Sequence, residues 1–301
     1  MNLPPAVVCV DLGKTRCRVV LVAGTEQVDE QIAPGLPGLA QPGAPERTAE
    51  VIAELVSRLA GSDGAPVGVG AAGALSAPDA AARLAELLAA TLDAPAAVTS
   101  DIVTAHLGAL SGRAGVCLVA GTGAVALGVS ADGAMSRRDG LGLMLGDLGS
   151  GAWIGRAGVR AAELAQSGVG PATVLADRIP AARDAATLAG APDAATRIAR
   201  HAPTVLDAAA QGDEVASGIL TEAATLLAQT AAAASADVGQ SDVVALGGLT
   251  GSEVFLDTLR AALTSHALTL RDPDGTALDG ARILATRRDL LLEGYIHRAH
   301  A

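Results

Sequence analysis

At 301 residues the chain is long enough for two domains of ordinary size, each with its own core. Half of the residues are hydrophobic, yet only Trp153, Phe255 and Tyr295 are aromatic, so the cores must consist mainly of alanine, valine and leucine. The formal charge of −11 argues against nucleic acid or an anionic membrane as a partner, because both attract basic surfaces.

The cysteines and the apolar runs favour a cytoplasmic protein. Cys9, Cys17 and Cys117 lie in strand-like apolar runs without C-x-x-C spacing, as is typical of small core residues. The start of the chain lacks the basic and apolar regions of a signal peptide. The longest uncharged run, 114–131, contains a glycine turn and predicts two strands rather than a membrane span. The histidines show no ligand spacing, so no transition-metal site is expected.

The first predicted strand runs into Asp11. A turn of Gly13, Lys14 and Thr15 then separates it from a second strand over 17–22. An aspartate at a strand end beside a Gly/Thr turn can place a carboxylate near Mg²⁺ and backbone amides near phosphates. An ordinary hairpin with a solvated Asp11 is the alternative.

Asp101 stands between a short strand over 96–99 and a helix predicted over 102–110. Open α/β sheets bind ligands at the carboxyl ends of their strands, and a helix N-terminus favours an ionised carboxylate. Asp101 is therefore a candidate general base, although a simple helix cap is the simpler interpretation of an isolated aspartate there. The hairpin and the following β–α units predict a mixed α/β domain over residues 1–112.

Two apolar runs, 116–120 and 124–129, flank the tripeptide Gly121-Thr122-Gly123 and predict a second hairpin. Glycines allow backbone N–H groups to approach an anion, and a hydroxyl adds a donor, which suits a phosphate-binding loop. A plain hairpin turn is an equally good interpretation of these three residues alone. Because the strand–turn–strand unit occurs twice, the sequence suggests a duplicated domain whose loops face each other across a cleft.

Residues 140–151 place five glycines around one carboxylate, Asp147, before an apolar helical segment. The glycines imply backbone shapes that other residues do not adopt, so Asp147 is expected on a rigid loop at the start of a helix. There it can hydrogen-bond a polyol. The alternative is that Asp147 caps the helix.

The rest of the chain is alanine-rich and predicted to be largely helical over 156–237, followed by a strand over 242–249. That strand ends in Gly247-Gly248, which permits close approach by a flat ligand such as a nucleoside, or else forms a strand-to-helix turn. A last helix is predicted over 287–299. These segments complete a second α/β domain over residues 113–301.

Five motifs occur in one order: D-x-G-x-T, S-D, A-G-T-G, G-x-G-x-x-x-G-D-x-G-S-G-x-W-I-G and L-G-G. This order resembles that of the N-acetylglucosamine kinases and the wider BadF/BadG/BcrA/BcrD ATPase family. The resemblance runs from about Val7 to Leu249 and is most specific over 119–155. It implies a two-lobed ribonuclease H-like fold of the actin/hexokinase type, with a cleft between the lobes.

The resemblance implies an ATP-dependent phosphotransferase that uses Mg²⁺. In it Asp11 holds Mg²⁺ through water. The residues implied to contact ATP are Gly13, Lys14 and Thr15 in a first phosphate loop, Gly121, Thr122 and Gly123 in a second, and Gly247 and Gly248 against the adenosine. Relatives usually carry a glycine where Lys14 stands.

For the sugar, the resemblance implies that Asp101 takes the proton from the hydroxyl and that Thr122, Gly142 and Asp147 contact the substrate. N-acetylglucosamine kinases commonly have G-W-G and G-D-E-G-S, whereas Leu141 and Leu148 replace the tryptophan and the glutamate here. An asparagine that such kinases often offer is also absent from 33–45. These departures make glucosamine or another hexose derivative almost as good a candidate as N-acetylglucosamine.

The leading hypothesis is thus an amino-sugar kinase with a small-molecule sugar substrate, and a homodimer is a candidate oligomeric state. An ATPase activator is the alternative within the family, and it would hold an iron–sulfur cluster with cysteines at a dimer interface. A sugar-sensing protein without turnover is a further alternative. Retention of Asp11, Asp101 and Asp147 favours the kinase.

Overall fold

The computed structural model describes residues 6–13, 15–179, 191 and 193–300. The chain forms two compact units. The first contains the chain up to Ala114, Ala131–Ala134 and the chain from Pro273 onward, and the second contains Gly115–Ser130 and Met135–Asp272. The predicted boundary near residue 112 is close to the end of the first segment. The assignment of residues 273–301 to the second domain is wrong, because they return to the first unit.

The elements of the described residues are numbered in chain order. The strands are β1 (Ala6–Leu12), β2 (Arg16–Ala23), β3 (Glu26–Pro34), β4 (Val67–Ala71), β5 (Ala96–Thr99), β6 (Gly115–Ala120), β7 (Ala124–Val129), β8 (Met135–Asp139), β9 (Asp242–Leu246), β10 (Thr269–Arg271) and β11 (His297–Ala299). The helices are α1 (Ala44–Val56), α2 (Pro78–Leu92), α3 (Asp101–Ala109), α4 (Gly151–Gln166), α5 (Leu175–Arg178), α6 (Ala194–Ala199), α7 (Ala202–Ala210), α8 (Glu214–Val238), α9 (Glu253–Ser265) and α10 (Ala277–Thr286).

The first unit is built on a six-stranded sheet in the order β11-β5-β4-β1-β2-β3. Strand β1 is buried on both faces. Its residues Val8 and Val10 belong to the core that includes α1 and α2, whereas Val7 and Cys9 contact Ala281 of α10 on the opposite face. This explains why β1 is a continuous apolar run, as strands covered on both faces are.

Helices α3 and α10 approach so closely that only glycine fits between them. A Cβ atom on Gly108 of α3 would lie 1.8 Å from the carbonyl oxygen of Thr276, and one on Gly280 of α10 would lie 1.8 Å from that of Thr104. Thr104 in turn packs over Gly70 of β4. These contacts fix the position of α3, and with it the position of Asp101 at its first turn.

The second unit repeats the topology of the first. Its sheet has the order β10-β9-β6-β7-β8, with β6 antiparallel to β7 and parallel to β9. In the first unit β1 is likewise antiparallel to β2 and parallel to β4. Both predicted hairpins and the repeated organisation are confirmed, whereas β3 and β8 extend each hairpin by a strand that the sequence analysis did not predict.

Among the described elements, helix α8 contributes the most buried residues to the core of the second unit. It runs for 25 residues from an N-cap at Asp213, whose carboxylate accepts a hydrogen bond from the Ala216 amide at 2.8 Å. Alanines dominate its buried face, which lets the sheet approach closely, so a Cβ atom on Gly128 of β7 would lie 2.9 Å from the Ala234 carbonyl oxygen. The predicted helical region 156–237 is confirmed within the described residues.

The helix predicted over 287–299 is wrong. Among the described residues the last α-helix, α10, ends at Thr286. Glu293–Tyr295 form a short 3₁₀ turn, and His297–Ala299 form an antiparallel edge strand beside β5. Arg298 stabilises this strand through hydrogen bonds to the carbonyl oxygens of Leu284 and Arg287 and to the Glu293 carboxylate. The apolar residues of this segment are spaced as in a helix, but pairing with β5 stabilises an extended conformation instead. Among the described residues no helix is both long and apolar enough to cross a membrane.

Candidate active site

Asp11 and Asp101 lie at one edge of the first sheet. Asp11 is close to the carboxyl end of β1, and Asp101 lies two residues beyond the end of β5. Strands β1, β4 and β5 are parallel, so their carboxyl ends share this edge. Topology therefore brings two carboxylates, ninety residues apart in sequence, to the place where such sheets bind ligands.

Asp101 is the first residue of α3 rather than its N-cap, which is Ser100. Its Oδ1 atom accepts hydrogen bonds from the Ser100 hydroxyl at 2.7 Å and from the Ile102 amide at 2.9 Å. Asp101 is thus one residue inside the helix, where its carboxylate still accepts one of the first-turn amides. Three features hold the carboxylate in place: these two bonds, the helix terminus and the close packing of α3.

Burial raises the pKa of the Asp11 carboxyl, and the negative charge of Asp101 raises it further, whereas Arg18 and Arg16 oppose this shift. A divalent cation here would offset the repulsion between the two carboxylates. Mg²⁺ typically binds one or two carboxylates, keeps several waters and takes further oxygens from substrate phosphates. The donor set fits Mg²⁺ on that basis, although the described residues contain no cluster of three or more potential ligands.

The turn between β1 and β2 is tight. The Gly13 amide donates a hydrogen bond to the Arg16 carbonyl oxygen at 3.0 Å, and the Gly13 carbonyl oxygen accepts one from Leu36. Thr15 is exposed, so its hydroxyl and backbone are accessible to a ligand. Lys14, the predicted departure from the family pattern, lies outside the described residues.

In the second unit, helix α4 supports the loop Gly121-Thr122-Gly123. The Gly151 amide donates to the Gly121 carbonyl oxygen at 2.8 Å, and the Ala152 amide donates to that of Thr122 at 3.0 Å. These are the first two amides of α4, which ordinarily lack a partner within a helix. The loop is therefore attached to a rigid element, with Thr122 itself exposed.

The predicted adenosine-binding glycines adjoin this loop. Gly247 has a φ of 112°, and a Cβ atom there would lie 2.4 Å from the Ala120 carbonyl oxygen and 2.9 Å from the Gly121 amide nitrogen. Gly248 is exposed and has nothing within 4 Å of its Cβ position. The two glycines thus differ: Gly247 closes the contact between β9 and β6, and Gly248 faces open space.

Asp147 lies against the same loop. Its Oδ1 atom accepts a hydrogen bond from the Ala124 amide at 3.2 Å, and a Cβ atom on Gly123 would lie 3.0 Å from each carboxylate oxygen. The N-cap of α4 is Ser150, whose hydroxyl accepts from the Trp153 amide, so the capping interpretation of Asp147 is wrong. Asp147 also has a φ of 53°, in the left-handed region that non-glycine residues rarely adopt.

Asp139 is a site residue that the sequence analysis missed. Its carboxylate accepts hydrogen bonds from the amides of Asp147 and Leu148, both at 2.8 Å, and from the Leu141 amide at 3.4 Å. Gly142 opens a turn between these contacts, with its carbonyl oxygen accepting from the Gly146 amide at 2.8 Å. The Asp-Gly pair at 139–140 is a local signal for a turn at this position, but it does not indicate which amides the carboxylate contacts.

The three cysteines are confirmed as core residues, each fully buried. Burial raises the pKa of Cys9 to about 12, that of Cys17 to about 11 and that of Cys117 to about 12. Thiols in such surroundings are poor metal ligands, because the thiolate is the ligand form. This arrangement gives no support to the iron–sulfur activator alternative.

The family model of the BadF/BadG/BcrA/BcrD ATPase family matches residues 8–285, so the chain belongs to this family. The N-acetyl-D-glucosamine kinase of Dictyostelium discoideum is 31% identical over 135 residues, which is 42% of each protein. The chain therefore matches less than half the length of that relative.

Solved structures share the fold along nearly the whole chain. A Chromobacterium violaceum protein named "Putative N-acetylglucosamine Kinase" is 24% identical with a TM-score of 0.72, covering 94% of this chain and 99% of that one. A ROK family glucokinase from Streptomyces griseus, in complex with glucose and AMPPNP, is 22% identical with a TM-score of 0.59, covering 93% and 99%. The expected actin/hexokinase-type fold class is confirmed.

Proposed function

We propose that the chain transfers the γ-phosphoryl group of ATP to a hydroxyl of an amino sugar or a closely related hexose. The observation that carries the proposal is the pair Asp11 and Asp101 at one sheet edge, in a family of ATPases whose relatives include a named N-acetyl-D-glucosamine kinase. Phosphoryl transfer needs positioning and charge neutralisation more than covalent chemistry, and this site offers both.

Asp101 acts as the general base in this proposal. Its Oδ1 atom is held by Ser100 and Ile102, which leaves Oδ2 to accept the proton of the sugar hydroxyl. The hydroxyl oxygen then bonds to the γ-phosphorus as the bond to the ADP oxygen breaks. Bound Mg²⁺ would neutralise phosphate charge, and Asp11 is the carboxylate that would hold it through water.

In the second unit, the loop Gly121-Thr122-Gly123 binds phosphate, and Gly247 and Gly248 lie near the adenosine. Asp147 binds a sugar hydroxyl beside that loop, with Thr122 and Gly142 as further substrate contacts. The contact of Asp147 with Gly123 supports this role, because it holds a residue proposed to bind the sugar against a residue proposed to bind phosphate. Gly13, Lys14 and Thr15 provide the first phosphate loop. We also propose a cytoplasmic location and a homodimeric state.

Measuring ADP release with Mg²⁺, ATP and a panel of hexoses and hexosamines tests the proposal. We expect glucosamine, N-acetylglucosamine and glucose to be used with similar, modest kcat/KM values. Leu141 and Leu148 cannot hydrogen-bond a substrate, and a site without matched polar groups rejects near-isosteres poorly. A strong preference for N-acetylglucosamine would show that other residues recognise the acetamide, and no turnover with any sugar would contradict the proposed function.

For Asp147 we expect Asp147→Asn to raise the KM for sugar about 10- to 100-fold, the loss associated with a hydrogen bond to a charged group. The amide oxygen of asparagine can still accept from Ala124, so the melting temperature should change little. Asp147→Ala loses that acceptor as well and should also melt lower. An unchanged KM for sugar in Asp147→Asn would remove Asp147 from the sugar site.

A further inference from the structure

The loop over residues 140–149, here called the apolar loop, displays large hydrophobic side chains to solvent. Met144 is 85% exposed, Leu145 81%, Leu141 67% and Leu148 39%. Single exposed hydrophobic residues are ordinary, but a group of four within eight residues marks a binding surface.

The exposure does not come from a loosely held segment. Asp139 accepts hydrogen bonds from three of the loop's amides, and the Gly142 carbonyl oxygen accepts from both Leu145 and Gly146. Gly146 is enclosed, since a Cβ atom there would lie 2.2 Å from the Asp139 carboxylate and 2.8 Å from the Leu141 Cβ atom. The loop is thus a closed turn with Met144 and Leu145 at its tip.

The apolar loop is continuous with the candidate sugar site. Asp147 belongs to the loop and contacts Gly123 and Ala124 of the phosphate-binding hairpin. On the other side, Gly149 is locked against α8, where a Cβ atom would lie 2.3 Å from the Ala223 carbonyl oxygen. The Asp139 carboxylate accepts from the amides of Asp147, Leu148 and Leu141, so two of the exposed apolar residues are held beside the residue proposed to bind the sugar.

We propose that the apolar loop binds an apolar substituent of the sugar substrate, so that the preferred substrate is a hexosamine derivative with an aliphatic acyl or alkyl chain longer than acetyl. The inference rests on the proposed function and specifies its substrate class. The aliphatic substituent takes no part in the reaction, which remains phosphoryl transfer to a sugar hydroxyl. Covering Met144 and Leu145 removes apolar surface from water, and that burial is the source of the preference.

The experiment uses full-length protein and glucosamine bearing N-acetyl, N-butyryl, N-hexanoyl or N-octanoyl groups. Two quantities are measured: kcat/KM by ADP release, and affinity by calorimetry with a nonhydrolysable ATP analogue present. Each buried methylene should improve affinity about two- to fourfold, giving at least about a tenfold gain from acetyl to hexanoyl. The double variant Met144→Ser/Leu145→Ser should lose this dependence on chain length without a lower melting temperature, because both side chains are exposed.

Val169→Ser is the matched control, since Val169 is 78% exposed in the same unit but outside the loop. It should keep the full dependence on chain length. Turnover of every sugar with no dependence on chain length would overturn the inference while leaving the kinase proposal intact. Affinity that rises with the length of the acyl group, without turnover of any sugar, would support the inference and contradict the kinase proposal. Sedimentation could also show a dimer that dissociates in the double variant. If affinity is then independent of acyl length, the loop binds a second copy of the protein and the inference is overturned.

Discussion

Replacing Asp101 with asparagine is expected to lower sugar-dependent ATP turnover by about 10²–10⁴-fold, the usual cost of losing a general base. Asparagine keeps the size of the side chain and an oxygen that can accept from Ser100 and Ile102. It cannot accept a proton. Nucleotide affinity should therefore stay nearly the same, and the melting temperature should fall only by the small effect of losing a charge at a helix N-terminus. ADP release, nucleotide titration and thermal unfolding measure the three quantities.

Asp79→Asn is the control for the loss of a carboxylate at a helix start. Asp79 lies in the first turn of α2, as Asp101 does in α3, and in the same unit. Removing a charge near a helix N-terminus costs about 0.3–1 kcal/mol, and both variants share that cost. Only Asp101→Asn should lose turnover. Normal turnover in folded Asp101→Asn would mean that the proton goes elsewhere and would refute the proposed mechanism.

The sequence predicted the elements whose signals are local. Both hairpins were found because short continuous apolar runs flank a glycine turn, and Asp11 and Asp101 were found because each lies near a strand end. The placement of Asp101 beside Asp11 needed the parallel order of β1, β4 and β5, which pairing between distant segments decides. Local periodicity does not contain that order.

The features that the sequence did not predict depend on contacts between distant residues. Residues 287–299 have helical apolar spacing, yet His297–Ala299 gain more by covering the open edge of β5. The role of Asp139 was missed because its three acceptor contacts exist only once the loop has closed. The exposed tip at Met144 and Leu145 was likewise invisible, since apolar residues are expected to be buried.

The two adjacent glycines at 247 and 248 are expected to respond in opposite ways to alanine. Gly247→Ala forces an L-residue to a φ of 112° and places a methyl group 2.4 Å from the Ala120 carbonyl oxygen. Backbone strain of this kind costs about 1–3 kcal/mol, and an overpacked contact costs about as much again. We expect the free energy of unfolding to fall by more than about 2 kcal/mol, which thermal and denaturant unfolding would measure.

Gly248→Ala should leave the free energy of unfolding almost unchanged, because nothing lies within 4 Å of the added methyl group. If the adenosine packs against this backbone, the same methyl group occupies ligand space. ATP affinity should then fall about 5- to 100-fold, as for overpacking by 1–3 kcal/mol. Because Gly248→Ala is expected to be as stable as the parent protein, a loss of ATP affinity in this variant reflects the ligand contact alone. In Gly247→Ala a loss of affinity could also come from the loss of stability. Equal ATP affinity in Gly248→Ala and the parent protein would show that the nucleoside lies elsewhere. Unchanged stability in Gly247→Ala would show that the backbone between β9 and β6 can move to accommodate the methyl group.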